Sequence, residues 1–188
     1  MNDDLYYTVR YTGPFGYIKP WTAVRDDRTF TQQFLTPSII EGIRQKLGVA
    51  AIMRHRLTYH KVDQQQERTQ ARAFTIEAKK KRATREQSIL TRGVMLNPTL
   101  TLAFASQTDA ELAAEQHVCL CRNEDVLLPD GQVRRLSMQE FDLLRGFELR
   151  FGQGPNAIMV GYDRFTNNQP MYGTIEIVGE PISIDPFE

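Results

Sequence analysis

Eleven cationic side chains fall between positions 54 and 92: Arg54, Arg56, Lys61, Arg68, Arg72, Lys79, Lys80, Lys81, Arg82, Arg85 and Arg92. Basic groups at that density, with few carboxylates among them, suit the phosphates of a polyanion. Inside the run Tyr59, His60 and Lys61 stand in succession, with His55 close by. A histidine moves protons near neutral pH, and a lysine steadies negative charge that develops on a phosphate. Neighbours along a strand point to opposite faces, so Tyr59 and Lys61 could share a site while His60 turns away. Tyr17, Trp21 and Tyr59 are candidate platforms for stacking unpaired bases, although a lone aromatic is more often a core residue. Tyr17 and Trp21 share a Gly/Pro-rich turn with Lys19, and a turn is poorly suited to burying two large rings.

The charge is distributed unevenly. Residues 1–92 carry 17 Lys and Arg against 9 Asp and Glu, whereas residues 93–188 carry 6 against 14, so a net charge of zero conceals a basic half and an acidic half. Such asymmetry points to an anionic partner on one face. The 188 residues suffice for one domain with a sizeable core. No apolar run approaches the roughly 20 residues that cross a bilayer, and the first residues are acidic and polar rather than signal-like. A cytoplasmic protein without membrane contact is expected. Cys119 and Cys121 form a lone C-x-C with no second Cys/His pair at zinc spacing, so they read as reduced thiols and no metal or other cofactor is expected. There is no G-x-x-x-x-G-K-S/T loop, no G-x-S-x-G elbow and no H-E-x-x-H helix.

These groups need elements to hold them. Thr8–Tyr11 reads as a strand, followed by the glycine- and aromatic-rich segment Gly13–Trp21 and the stretch Arg28–Leu35. Thr36 then caps a helix with Pro37 at its first position, Ile39, Ile40, Ile43 and Leu47 at helical spacing, and Gly48 as a left-handed stop. Gly42 inside that helix predicts close packing against a neighbouring backbone. Two strands follow, roughly Ala51–Lys61 and Ile89–Phe104, the second broken at Asn97-Pro98. Between them, residues 63–88 hold only Phe74 and Ile76 as sizeable apolar groups and cannot anchor themselves in a core. They read as a protruding hairpin or arm. Asp109–Gln116 has helix-forming residues. His117–Cys121 and Arg134–Leu136 flank Val126–Val133, where Pro129-Asp130-Gly131 is a turn signal. Ser137 and Glu140 form a capping box for a second helix with Phe141, Leu144, Phe147, Leu149 and Phe151 on its apolar side, ended by Gly152 to Pro155. Ala157–Tyr162 and Gly173–Val178 are strand-like. The order β-α-β…β-α-β predicts an α+β, ferredoxin-like (RRM-like) domain over 1–188, with a basic thumb at 62–88 and a small β-hairpin insertion at 108–136.

The segment Thr36-Pro37-Ser38-Ile39-Ile40-Glu41-Gly42-Ile43, after a first strand and an aromatic turn ending near a proline, resembles the T-P-S-x-x-x-G-I helix of a CRISPR-associated RAMP family. That family, the fifth Cas family, caps the 5′ handle of the guide RNA in Cascade-type complexes. Arg85 to Val94 is similar to its R-x-Q-x-x-x-L-x-x-V strand opening, and Val160-Gly161-Tyr162-Asp163-Arg164-Phe165 looks like a drifted G-x-R-E-F segment. The chain departs from the family at Glu41, where Arg is common, and over residues 108–136. The resemblance implies the same ferredoxin-like fold, and a thumb that touches the guide and the neighbouring backbone subunit.

Two classes of function follow. In the first, the protein is a structural subunit of a type I-like Cascade complex. It holds the 5′ handle of the CRISPR RNA through Tyr17, Lys19, Trp21 and the cations named above, among the backbone and large subunits. It meets target DNA only through the complex. In the second, implied by a cutting branch of that family, Tyr59, His60 and Lys61 would make it a metal-independent endoribonuclease in which a 2′-hydroxyl attacks the adjacent phosphate. A RAMP-like RNA binder outside CRISPR defence, or a phage-encoded imitator, is a third.

Overall fold

The computed structural model describes residues 5–21, 28–163 and 167–182, and for 70–78, 85 and 86 only the backbone is considered. The elements in chain order are β1 (Leu5–Thr12), β2 (Phe15–Gly16), β3 (Arg28–Phe30), α1 (Pro37–Leu47), β4 (Arg54–Thr58), β5 (Lys61–Glu77), β6 (Arg82–Leu96), β7 (Thr99–Phe104), α2 (Gln107–Ala114), β8 (Val118–Cys119), β9 (Val126–Ser137), α3 (Met138–Asp142), β10 (Gly146–Phe151), β11 (Ile158–Asp163) and β12 (Gln169–Val178). The fold is α+β, with strands predominating. An eight-stranded sheet runs β11-β12-β10-β4-β7-β1-β9-β8 through antiparallel pairs. A smaller sheet joins β2, β6 and β3, with β5 pairing β6.

Alternation along the central strands sorts two faces. Val9 and Tyr11 of β1, Leu57 of β4, and Leu100 and Leu102 of β7 point to one side. There they meet Ile40, Ile43 and Leu47 of α1 and Ala110 and Ala113 of α2 in a single buried cluster. Burying such a side chain stabilises by about 1.5–3 kcal/mol, so this layer is the main source of stability. The Tyr11 hydroxyl donates to the carbonyl of Ala113 at 2.7 Å, fixing α2 over β1. The intervening polar residues are left to the other face.

The helix α1 forms where its signals lie, but in a different manner. Pro37 takes the first turn and Gly48 closes the helix at φ 69°, donating to Arg44 O at 3.0 Å, while the Thr36 side chain makes no cap hydrogen bond. Gly42 is exposed, and a Cβ there would meet nothing within 4 Å, so the expected close packing is wrong. The expected long second helix is also wrong. It stops after Met138–Asp142, its capping box intact, and Gly146–Phe151 is a strand. Phe147, Leu149 and Phe151 alternate with Glu148 and Arg150 at period two, and Gly146 (φ 145°) packs against Leu57, where a Cβ would lie 3.1 Å from Leu57 O. Burial on a sheet outweighed helical spacing.

Residues 108–136 do not stand apart from the domain: they include most of α2, all of β8 and most of β9, which pairs with β1 from Leu5 to Thr12. Pro129-Asp130-Gly131 is not a hairpin turn. It lies in a bulge of β9 where the register shifts opposite Arg10, with Gly131 at φ 71°. The long strand expected over Ala51–Lys61 is interrupted at Tyr59-His60. There β4 leaves the main sheet and β5 begins, with His60 N–H donating to Leu96 O at 2.9 Å. The break at Asn97-Pro98 falls between β6 and β7, Asn97 at φ 49°. Of the drifted segment Val160–Phe165, Arg164 and Phe165 lie outside the described residues, as does Thr166 of the following turn.

Candidate nucleic-acid interface

Register places the polar face residues in rows. Arg56 of β4 stands opposite Thr101 of β7, which stands opposite Arg10 of β1. One step along, Thr58, Thr99 and Thr12 form a second row. In the other direction Arg54, Ala103 and Thr8 align, with Arg134 of β9 beyond Thr8. The short α3 covers only one end of this face, where Phe141 packs with Tyr6, Ala103, Leu136 and Leu144. The rest stays open as a groove of about 650 Å³, lined by these threonines, by Arg10, Arg56, Arg134 and Arg145, and by Tyr59, His60 and Asn97. No carboxylate is among its lining residues.

Beside the groove, between β4 and β10, lies a buried ionic cluster. Glu148, 1% exposed, accepts from Arg54 Nε at 2.7 Å and Nη2 at 2.8 Å. Asp142 accepts from the same Nη2 at 2.9 Å. Burial by itself would lower the Arg54 guanidinium, but these hydrogen bonds hold it above the usual arginine range. Arg56 is less well served. Its Nη1 lies 3.2 Å from Glu148 Oε2 and Nη2 lies 3.6 Å from Glu176, yet Nε and Nη1 are buried without a hydrogen-bond partner. Burial is the leading influence on Arg56 and pulls its guanidinium below the ordinary value. An uncompensated buried donor costs about 1–3 kcal/mol, so this side chain is poised for an acceptor.

From the edge of the groove β5 and β6 run out together as one long antiparallel hairpin, closed by the 3-10 turn Ala78–Lys80 and Lys81 at φ 48°. Its root is clamped to the body. Glu67 accepts from Arg92 Nε at 2.7 Å and also from Arg122 Nη1, and Arg122 in turn pairs with the buried Asp125 at 2.7 Å. Both guanidinium groups lie over the Tyr17 ring, at 5.1 and 5.2 Å. Although burial works the other way, the hydrogen bonds from Arg92 and Arg122 hold the Glu67 carboxyl below its ordinary range. Beyond Glu67, the ten remaining residues of β5 span about 33 Å at a strand's rise.

The sequence-derived candidates therefore scatter. Arg56 and His60 line the groove, whereas Arg54 is spent in the ionic cluster. Tyr17 is 1% exposed and sandwiched in the clamp with Arg92, so neither is a free platform or a free cation. Trp21 is exposed and meets Tyr162 edge-on at 6.1 Å, and Lys19 is exposed nearby in sequence. Lys61 is exposed, 3.4 Å from Asp63. Arg68, Lys79, Lys80, Lys81 and Arg82 are exposed along the hairpin and its tip, and the side chains of Arg72 and Arg85 lie outside the described set. Tyr59 touches the groove, but it is 2% exposed, stacks on Phe147 at 5.9 Å and accepts from Gln33 at 2.7 Å through its hydroxyl. Tyr59, His60 and Lys61 are thus not gathered around one point. Among the described residues no three His, Cys, Asp or Glu side chains are placed to hold a metal ion, and Cys119 and Cys121 are free thiols.

Sequence reading missed Thr8, Arg10, Thr12, Thr58, Thr99, Thr101, Arg134 and Arg145. The signal was present in Thr8-Val9-Arg10-Tyr11-Thr12 and Thr99-Leu100-Thr101-Leu102, where every second residue is polar. Which strands lie side by side, and so which rows form, is a tertiary fact.

No family model and no curated protein matches the chain. A solved structure, the crystal structure of a Cas protein, is similar over 96% of this chain and 99% of its own, at 17% identity and a TM-score of 0.41.

Proposed function

We propose that the protein is a guide-RNA-binding structural subunit of a CRISPR effector complex of Cascade type, holding the 5′ handle of the CRISPR RNA. The observation that carries this reading is the groove, whose lining holds four arginines and five threonines and no carboxylate, with Glu148 and Asp130 pairing Arg56 and Arg134 at its edges. The strand order β4-β7-β1-β9, with helices between β1 and β4 and between β7 and β9, is that of a split β-α-β plan and supports a ferredoxin-like, RRM-like core. Such a sheet face recognises single-stranded RNA in other proteins. The T-P-S-x-x-x-G-I opening of α1 supplies the CRISPR assignment. The hairpin 61–96 is the thumb, reaching toward a neighbouring backbone subunit, and target DNA is met only through the guide and the assembled complex.

The binder is preferred over the endoribonuclease because Tyr59 commits its hydroxyl to Gln33. Purified protein incubated with labelled CRISPR repeat RNA in EDTA should retain the RNA and leave it whole. Cleavage at one position that is lost in His60→Ala would refute the structural reading in favour of catalysis, since losing general acid–base help costs about 10²–10⁴-fold in rate. No retention of any repeat RNA, alone or with the neighbouring subunits, would refute both.

A further inference from the structure

The groove has an internal order that goes beyond being basic. Arg56, Thr101 and Arg10 occupy one cross-strand row on β4, β7 and β1, so a hydroxyl stands between two guanidinium groups. Directly opposed side chains on one face are about 5 Å apart at Cβ. The row can therefore surround one tetrahedral anion, with Thr101 beneath it and an arginine on each side. Arg56 supplies the deep end. It is 2% exposed, lines the groove and has Nε and Nη1 without hydrogen-bond partners. A guanidinium that keeps an unpartnered N–H in a basic groove suits a phosphate oxygen. Glu148 takes two hydrogen bonds from Arg54 and, with Glu176, lies 3.2 and 3.6 Å from Arg56 Nη1 and Nη2, which leaves Arg56 Nε as the donor without a partner.

The next row differs in kind. Thr58, Thr99 and Thr12 present three hydroxyls and no charge. Residues two apart on a strand are separated by about 7 Å, a step comparable to one unit of an extended sugar–phosphate chain. Threonine hydroxyls both donate and accept, as does a ribose 2′-hydroxyl, and this is the group that distinguishes RNA from DNA.

Resting on the RNA-binding reading above, we infer that the Arg56–Thr101–Arg10 row is a single-phosphate site and that the adjacent Thr58–Thr99–Thr12 row receives a ribose, so the groove selects RNA over DNA through its backbone. The phosphate row sets affinity for either polymer. The threonine row sets the preference between them.

The test is fluorescence anisotropy of the full chain with a labelled oligouridine and the deoxyuridine strand of equal length, across a salt series, with inorganic phosphate as competitor. Wild type should bind the RNA strand more tightly. Arg10→Gln, at an exposed position, should weaken both strands and lower the salt slope by up to about 0.7. Thr101→Val should weaken both strands roughly 3- to 10-fold, the worth of one hydrogen bond. Thr99→Val should weaken RNA by a similar factor, leave DNA unchanged and so erase the preference. Arg56→Lys keeps the charge but loses the Nε donor, and should weaken both strands while circular dichroism stays as in wild type. Inorganic phosphate alone displacing the strand as well as free oligonucleotide does would make the site one for a free anion and overturn the ribose row. RNA binding that is unaltered by Arg10→Gln, Thr101→Val and Thr99→Val would overturn the inference while leaving the RNA-binding reading standing. Absence of RNA binding in wild type would overturn both.

Discussion

Glu148 is the side chain on which this edge of the groove depends, and Glu148→Gln isolates its charge from its shape. In the folded protein the carboxylate takes two hydrogen bonds from Arg54, at 2.7 and 2.8 Å, and faces Arg56 Nη1 at 3.2 Å. It also accepts from the backbone N–H of His55 at 3.3 Å. Arg54, Arg56 and Glu148 are all nearly inaccessible, so solvent cannot take over when the charge is removed. Breaking a buried pair by neutralising one partner costs about 3–5 kcal/mol. Here two guanidinium groups lose their common anion, so the upper half of that range applies. With about 2–4 °C per kcal/mol for a chain of this size, Tm should fall by about 8–20 °C. Glu176→Gln is the internal control. That carboxylate is 43% exposed and lies 3.6 and 3.9 Å from Arg56 and Arg54, so its loss should cost under about 1 kcal/mol. Urea denaturation followed by circular dichroism measures both. Equal, small losses in the two variants would sink the argument that Glu148 neutralises the edge of the groove.

Three further outcomes follow from particular residues. His55 is buried, accepts from Leu149 N–H through Nε2, and is held neutral down to about pH 4, mainly by burial. The unfolded chain takes its proton near pH 6.5, so this contribution is complete above that pH and is lost as pH falls toward 4, by about 3 kcal/mol in all. Denaturant titrations over that window should show a slope that flattens in His55→Gln, and parallel slopes would be contrary evidence. Gly42→Ala should raise stability by about 1 kcal/mol, since the helix gains propensity and a Cβ meets no neighbour; a lower Tm would restore the packing role read from the sequence. Replacing Lys79, Lys80, Lys81 and Arg82 together by alanine should reduce the salt dependence of RNA binding by up to about 0.7 per lost phosphate contact, and an unchanged slope would make the tip a solvated turn.

The elements that local chemistry determines were readable from residues alone. Pro37 and Gly48 bracket α1 because each has a backbone preference needing no tertiary partner, and Asn97-Pro98 ends a strand for the same reason. Residues 146–151 were misread because Phe141, Leu144 and Phe147 fit a helical stripe. The overriding fact, Glu148 facing Arg54 across the sheet, lies about 90 positions away in sequence. Tyr17 looked like an exposed ring in a turn, but Arg122, an isolated basic residue in the acidic half, closes over it. The groove was least legible. Its threonines are ordinary strand residues singly, and only the register of β4, β7 and β1 turns them into rows.

The hairpin 61–96 grows from the link between two neighbouring strands of the main sheet, leaving after Tyr59-His60 and returning through Asn97-Pro98. It therefore behaves as a ruler appended to a finished body. Removing one residue from each strand, so that a cross-strand pair is lost, leaves the register below it untouched and draws the tip in by about 3.3 Å. Removing a residue from one strand alone would turn every later side chain to the opposite face. The distance between the groove and whatever the tip touches can accordingly be reset in small, regular increments, with the clamp at Glu67 as the zero mark.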